Sequence, residues 1–322
     1  FGRWGDGLSC FDGNRFTRYN SHNGLIGNGV IDIAEDHEGN IWIGDSNSGL
    51  SRFDPVVIDV VSTEPVRNFI YNDDDGSIWF NDFETLWHVP GEISNGTSNE
   101  NSEARERYRK FHRHIRAFIK DAEGHYWLAG IPNTLLFFNS ISDVWTEHVD
   151  KEHEDGVESP HLDLLPLVRM DIDSTISMPH INVQTIIRTG TDTLWFGTGN
   201  EYITRQGYLC RYDGEQLQSL ETPHPLVVSL IEDDLGRIWM GGWQGGGLSV
   251  YTPSDDSELH PENLKNYAFD EDPIENAVLS LSLDTSGRIW IASRYEIYRF
   301  DPSQETFEPM VAKYGLPDVW YS

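Results

Sequence analysis

Positive charge is scarce in this chain: 23 Lys and Arg stand against 53 Asp and Glu, a formal charge of -30 over 322 residues. Such a field repels polyphosphates and anionic membranes before contact, which excludes a general affinity for nucleic acid. No run of about 18 apolar residues is present, and no basic stretch leads into an apolar one at the N-terminus, so neither a membrane span nor a secretory signal is expected. Cysteine is nearly missing, with Cys10 and Cys210 the two in the chain. Aligned within their repeats they fall one position apart, on opposite strand faces, so a disulfide between them is not expected and the redox compartment stays open. The chain starts at Phe1 inside a repeat, without an initiator Met, which reads as a mature or excised piece of something longer.

Glycine and aromatics are plentiful, with 29 Gly, 11 Trp and 12% aromatic residues, the composition of a turn-rich all-β protein. Six segments repeat the order apolar, Trp, apolar, small: Ile41-Trp42-Ile43-Gly44, Ile78-Trp79-Phe80-Asn81, Tyr126-Trp127-Leu128-Ala129, Leu194-Trp195-Phe196-Gly197, Ile238-Trp239-Met240-Gly241 and Ile289-Trp290-Ile291-Ala292. Their spacing of 37 to 68 residues is that of propeller blades with insertions. Five of the six follow an Asp-x-x-Gly turn such as Asp36-His37-Glu38-Gly39, whose glycine supplies the positive φ of a tight hairpin. An apolar strand such as Val30-Ile31-Asp32-Ile33 precedes each turn, and a third strand such as Gly49-Leu50-Ser51-Arg52-Phe53 follows; Phe16-Thr17-Arg18-Tyr19 suggests a fourth.

Four short antiparallel strands cannot bury both faces alone, so successive sheets must stack. The expected fold is all-β: a single domain over 1–322, a seven-bladed β-propeller of four-stranded antiparallel blades with the tryptophans as filler between them. One blade is shared by 1–20 and 315–322, because Phe1-Gly2 matches Phe196-Gly197 and Gly315-Leu316 matches Gly24-Leu25, so both termini close the ring. Insertions are expected at about 90–112, 150–182 and 253–276.

The string Val30-Ile31-Asp32-Ile33-Ala34-Glu35-Asp36-His37-Glu38-Gly39-Asn40-Ile41-Trp42-Ile43-Gly44, continued by Gly49-Leu50-Ser51-Arg52-Phe53-Asp54, resembles the two-component regulator propeller repeat. That family commonly forms the periplasmic sensing half of hybrid histidine kinases, many of which respond to polysaccharide fragments. The resemblance implies a recognition module, periplasmic or extracellular, coupled to a histidine-kinase signalling module in a longer chain. A weaker similarity, to propeller lyases that open cyclic peptide antibiotics, implies a metal and a His/Glu pair near the axis, which no residues here place. The sialidase motif Ser-x-Asp-x-Gly-x-x-Trp is not matched.

Residues that differ between repeats mark the candidate site. The loops joining second and third strands carry Arg3 and Trp4, Asn47, Phe83, Asn133, Tyr202 and Arg205, Trp243 and Gln244, and Arg294 and Tyr295. Aromatic rings, arginines and amides converging on one axis suit a saccharide or small polar ligand, since rings stack while forked donors and amides fix hydroxyls and carboxylates. Each is equally compatible with a plain polar loop. The basic stretch 103–116 reads as neutralised by the surplus of acids. His148, His153, His161 and His180 fit no compact zinc spacing, and Asn72-Asp73-Asp74-Asp75-Gly76 reads as a turn and not as a calcium loop. No catalytic residues, metal or cofactor are assigned. The expected function is a non-catalytic, ligand-binding sensory propeller, with a propeller lyase and a protein-binding scaffold as the alternatives.

Overall fold

The structure, a computed structural model, describes residues 1–3, 7–53, 58–82, 85–90, 106–110, 114–131, 134–139, 144–148, 182–200, 205–214, 216–243, 246–254, 256, 258–269, 277–293 and 296–314. They form antiparallel strands with one short helix and a single 3-10 turn among them. The chain divides into two compact units, one of residues 1–115, 290–300 and 304–322, the other of 116–289 and 301–303.

In the first unit, β1 (Gly2–Arg3), β2 (Gly7–Phe11) and β3 (Phe16–Tyr19) form a three-stranded sheet. A four-stranded sheet follows, of β4 (Val30–Glu35), β5 (Ile41–Asp45), β6 (Gly49–Phe53) and β7 (Ile58–Ser62). Another consists of β8 (Ile70–Asn72), β9 (Ile78–Asn81), β10 (Thr85–Val89) and β11 (Glu106–Lys110). The basic stretch expected within an insertion thus contributes a strand.

In the second unit, β12 (His114–Lys120), β13 (Tyr126–Ile131), β14 (Thr134–Asn139) and β15 (Val144–His148) make one sheet. Two further four-strand runs follow. The first is β16 (Val183–Arg188), β17 (Leu194–Asn200), β18 (Gln206–Tyr212) and β19 (Leu217–Thr222); the second is β20 (Leu226–Glu232), β21 (Ile238–Trp243), β22 (Leu248–Tyr251) and β23 (Leu264–Tyr267). A bridge of Gly199 to Leu226 joins them into one eight-stranded sheet. The strand β24 (Val278–Leu283) belongs to the same unit, while β25 (Ile289–Ser293), β26 (Ile297–Asp301), β27 (Thr306–Pro309) and the helix α1 (Met310–Tyr314) lie almost wholly in the first.

The six repeated tryptophans all occupy second strands, in β5, β9, β13, β17, β21 and β25. Trp42 and Trp239 are fully buried, and Trp79, Trp127 and Trp195 are nearly so. The preceding turn explains how an indole N–H can be taken out of water. Asp36 accepts the backbone N–H of Glu38 and Asn40 through Oδ1 and the Trp42 indole N–H through Oδ2 at 2.8 Å. Asp121 and Asp233 make the same bond to Trp127 and Trp239, at 2.9 and 2.7 Å. Burial opposes the charge on Asp36 and Asp233, yet these donors hold both carboxyls below their ordinary range. The turn glycines sit in the left-handed region, with φ of 85° at Gly39 and 73° at Gly236.

The small residue after each Trp-apolar pair answers to the next sheet. A Cβ on Gly44 would lie 2.6 Å from Val66 Cγ1, one on Gly197 2.7 Å from Val227 Cγ1, and one on Gly241 2.1 Å from Val278 Cγ1. A Cβ on Gly2 would lie 2.6 Å from Val30 Cγ1 in the same way. Side chains interleave between consecutive sheets: Trp42, Leu50, Val66, Ile70, Ile78 and Phe80 in one layer, and Trp195, Leu209, Val227, Leu230, Ile238 and Met240 in another. Within the first unit, Phe1, Phe11 and Phe16 pack with Trp290, Met310, Val311 and Tyr314, with Phe11 ring centroids 5.8 Å from Trp290 and 4.9 Å from Tyr314. Residues 315–322, assigned to the shared blade, lie outside the described residues, as do 150–180 of the histidine-bearing insertion. Cys10 is exposed and Cys210 buried, both free thiols.

First strands are tied across the layers by polar side chains. Asp32 Oδ2 accepts the Ile70 N–H at 2.7 Å, and Ser229 Oγ at the equivalent position accepts the Leu281 N–H at 3.0 Å. Burial pushes the Asp32 carboxyl up to about 6 against the N–H donors of Ile70 and Ile33, which pull it down.

Two outcomes follow from this packing. Trp239→Ala is expected to cost roughly 3 to 5 kcal/mol in chemical denaturation, as large aromatic truncations in cores do; a loss under about 1 kcal/mol would contradict the layer assignment. Because the folded form of Asp32 holds its proton up to about pH 6 and the unfolded form only to about pH 4, this group's contribution to stability falls as pH rises between those values. The stability of Asp32→Asn relative to the parent should therefore rise by on the order of 1 to 3 kcal/mol between about pH 4 and pH 7. Parallel pH profiles of the two proteins would refute it.

Candidate ligand site

The hairpins between second and third strands are where residues stop repeating, and local chemistry builds each differently. In the β5–β6 hairpin, Asp45 is buried and accepts the N–H groups of Asn47 and Ser48 through Oδ1 and of Gly29 through Oδ2. Asn47 is thereby held exposed at the tip, its amide donating to Ser46 Oγ at 3.0 Å. Arg205 ends the β17–β18 loop, exposed and at φ 52°, one residue before Gln206 re-enters the ladder opposite Asn200.

The β21–β22 hairpin has the most developed support. In its sequence Gly242-Trp243-Gln244-Gly245-Gly246-Gly247, Gly242 and Gly246 lie against His224, which is fully buried. A Cβ on Gly242 would lie 2.5 Å from His224 Cβ, and one on Gly246, at φ 88°, 2.1 Å from His224 Nδ1. His224 Nε2 is 2.8 Å from Ser249 Oγ, and that hydroxyl donates its single proton to Asn266 Oδ1 at 2.7 Å. With that proton committed, Nε2 is the donor to Ser249, and Nδ1 faces Gly246. Trp243, the next residue after Gly242, is half-buried and paired across the ladder with Leu226.

Of the residues expected at the site, Asn47, Arg205 and Trp243 are placed in these hairpins, and the backbone of Arg3 lies in β1. Trp4, Phe83, Asn133, Tyr202, Gln244, Arg294 and Tyr295 lie outside the described residues. His224 was missed in the sequence, where it reads as one histidine in a Pro-flanked linker; the triple glycine at 245–247 was the available signal, since such a run marks backbone forced against a neighbour.

A second feature was also missed. At the opposite end of the same strands, a cleft of about 550 Å³ lies between the β16–β19 and β20–β23 runs, lined by Thr189, Thr191, Thr193, Arg211, Glu232 and Glu258 among others. Elsewhere, Asp121, Glu123 and His125 bring ligand-type atoms within 4.8 Å of one another. These belong to the β12–β13 turn, where Asp121 already takes the Trp127 indole and the His125 N–H.

Residues 24–47 match the two component regulator propeller family. No curated protein matches the chain in sequence. Among solved structures, the chain resembles the extracellular domain of a hybrid two component system from B. thetaiotaomicron at 16% identity and TM-score 0.62, over 94% of this chain and 39% of that one. It thus spans about two fifths of that relative's length. It also resembles virginiamycin B lyase from Staphylococcus aureus at 12% identity and TM-score 0.60, over 88% of this chain and 84% of that one. At these identities the likeness speaks for the fold alone; residues 24–47 match one two component regulator propeller repeat, and its turn and tryptophan recur along the chain.

Proposed function

We propose that the chain is a non-catalytic sensory module, a seven-bladed propeller that binds a small polar or saccharide ligand where its second-to-third-strand hairpins gather. The observation that carries this reading is the contrast along one repeat: strand residues recur because packing demands them, whereas hairpin residues change. Trp243 follows Gly242, whose backbone lies against the buried His224, and is an aromatic side chain of the kind that anchors ligands. Arg3, Trp4, Tyr202, Arg205, Gln244, Arg294 and Tyr295 would join it around the mouth of an axial channel. The contact of Phe1, Phe11 and Phe16 with Trp290 and Tyr314 supports closure of the ring near the termini, residues 315–322 supplying the first strand that the β1–β3 sheet lacks.

The match at 24–47 favours a place in a two-component system, periplasmic or extracellular, with a histidine-kinase module elsewhere in a longer chain. Among the described residues no helix is long and apolar enough to cross a membrane. The second reading, a propeller lyase, draws on the fold likeness to virginiamycin B lyase, most of whose length this chain spans.

A glycan array combined with thermal-shift screening identifies the ligand, since binding to the folded state alone must raise apparent stability. Trp243→Ala and Arg294→Ala are each expected to weaken it by about 2 kcal/mol, roughly 30-fold in calorimetric titration, with melting temperatures near the parent's. Unchanged affinity in both would move the site away from this end, and turnover of the bound compound would establish the lyase reading instead.

A further inference from the structure

The cleft of about 550 Å³ at the other end of the β16–β23 strands arises from a departure in the repeat. Five turns place an aspartate where it can cap the following tryptophan; here the turn is Thr189-Gly190-Thr191-Asp192-Thr193. Its backbone bond is kept, Asp192 N–H to Thr189 O at 2.9 Å, with Asp192 at φ 59° in the glycine position. In place of the carboxylate stand three hydroxyls in a chain, Thr189 to Thr191 at 3.0 Å and Thr191 to Thr193 at 3.3 Å, above the buried Trp195.

The remaining walls are fixed. Gly190 N–H donates to Glu232 Oε2 at 2.9 Å, tying the turn to the next run of strands. Residues 258–260 are held by Tyr251, whose hydroxyl donates to Glu258 O at 3.3 Å and accepts the His260 N–H at 3.1 Å, and by Leu259 N–H to Gln218 Oε1 at 2.9 Å. Arg211 lies 3.3 Å from Asp213 and offsets its charge. The field of the cleft therefore comes from Glu232 and Glu258, two carboxylates without a second cation in the lining.

We propose that this cleft is a ligand site, distinct from the hairpin end, for a small amine-bearing polyol, the class that includes hexosamines. The threonine hydroxyls, which donate and accept alike, match a ring of hydroxyls, and the carboxylates of Glu232 and Glu258 select the ammonium. The volume lies within the range of small-molecule pockets and accommodates one or two sugar rings. An anionic saccharide is disfavoured by the same two carboxylates. The assignment does not depend on the hairpin site, because the two ends of the strands share no residue.

The test is calorimetric titration of the full chain at about pH 6.5, where a sugar amine is protonated, with D-glucosamine, with D-glucose as its neutral counterpart and with spermidine as a cation without hydroxyls. Glucosamine is expected to bind saturably and at least about tenfold more tightly than either control. Glu258→Gln and Thr191→Val both alter exposed side chains, so the fold should persist, verified by an unchanged melting temperature. The first should weaken glucosamine by about tenfold and the second by several-fold, while Trp243→Ala should leave it unchanged. Absence of saturable glucosamine binding below about 50 mM, spermidine or glucose binding as well as glucosamine, or parent affinity in Glu258→Gln would each overturn the proposal.

Discussion

The bond from a buried indole N–H to the first aspartate of the preceding turn underlies the rest of the architecture. A tryptophan supplies the largest apolar surface a residue can bury, but its N–H must find an acceptor to be taken out of water. The Asp-x-x-Gly turn provides one without lengthening the hairpin: one carboxylate oxygen closes the turn on its own backbone and the other takes the indole, as at Asp36 with Trp42 and Asp233 with Trp239. The ring is thereby fixed in direction as well as depth. With its position set, the residue two places on is a glycine at 44, 197 and 241, because the following segment brings a valine onto it. Turn, tryptophan and small residue are thus one constraint expressed at three positions.

Where the constraint is relaxed, the molecule gains polar surface. Replacing the turn aspartate by Thr189 keeps the backbone geometry and substitutes hydroxyls for the carboxylate, and the cleft of the second unit opens above Trp195. At the other end of the strands the relaxation takes a different form. Glycines at 242 and 246 allow backbone to approach a buried histidine beside the aromatic Trp243. Local departures from a repeat, each with a physical compensation, are the places where recognition chemistry can reside without loss of the stack.

The first strands show why the layers keep register. Asp32 and Ser229 reach from one first strand to the N–H of the next, so the polar residues in these otherwise apolar strands serve backbone groups of the neighbouring layer. A carboxylate in that position carries a desolvation penalty that a hydroxyl avoids, which is why Asp32 is shifted upward.

The sequence by itself determined the class of fold, the placement of all six tryptophans on second strands and the turns before them, because each rests on spacing within about fifteen consecutive residues, where strand alternation and turn chemistry decide. It also located the hairpins in which Asn47, Arg205 and Trp243 lie. Only the tertiary structure decided what supports them. His224 and Ser249 are far apart in the chain and join through a hydrogen bond that no periodicity announces. The cleft is likewise assembled from a turn, a strand end and a wall that includes Glu258 and Leu259, contributed by successive strand runs, so its charge and volume exist only once the layers have stacked. Packing residues repeat and can be read locally; a site is defined by what non-adjacent segments bring into contact.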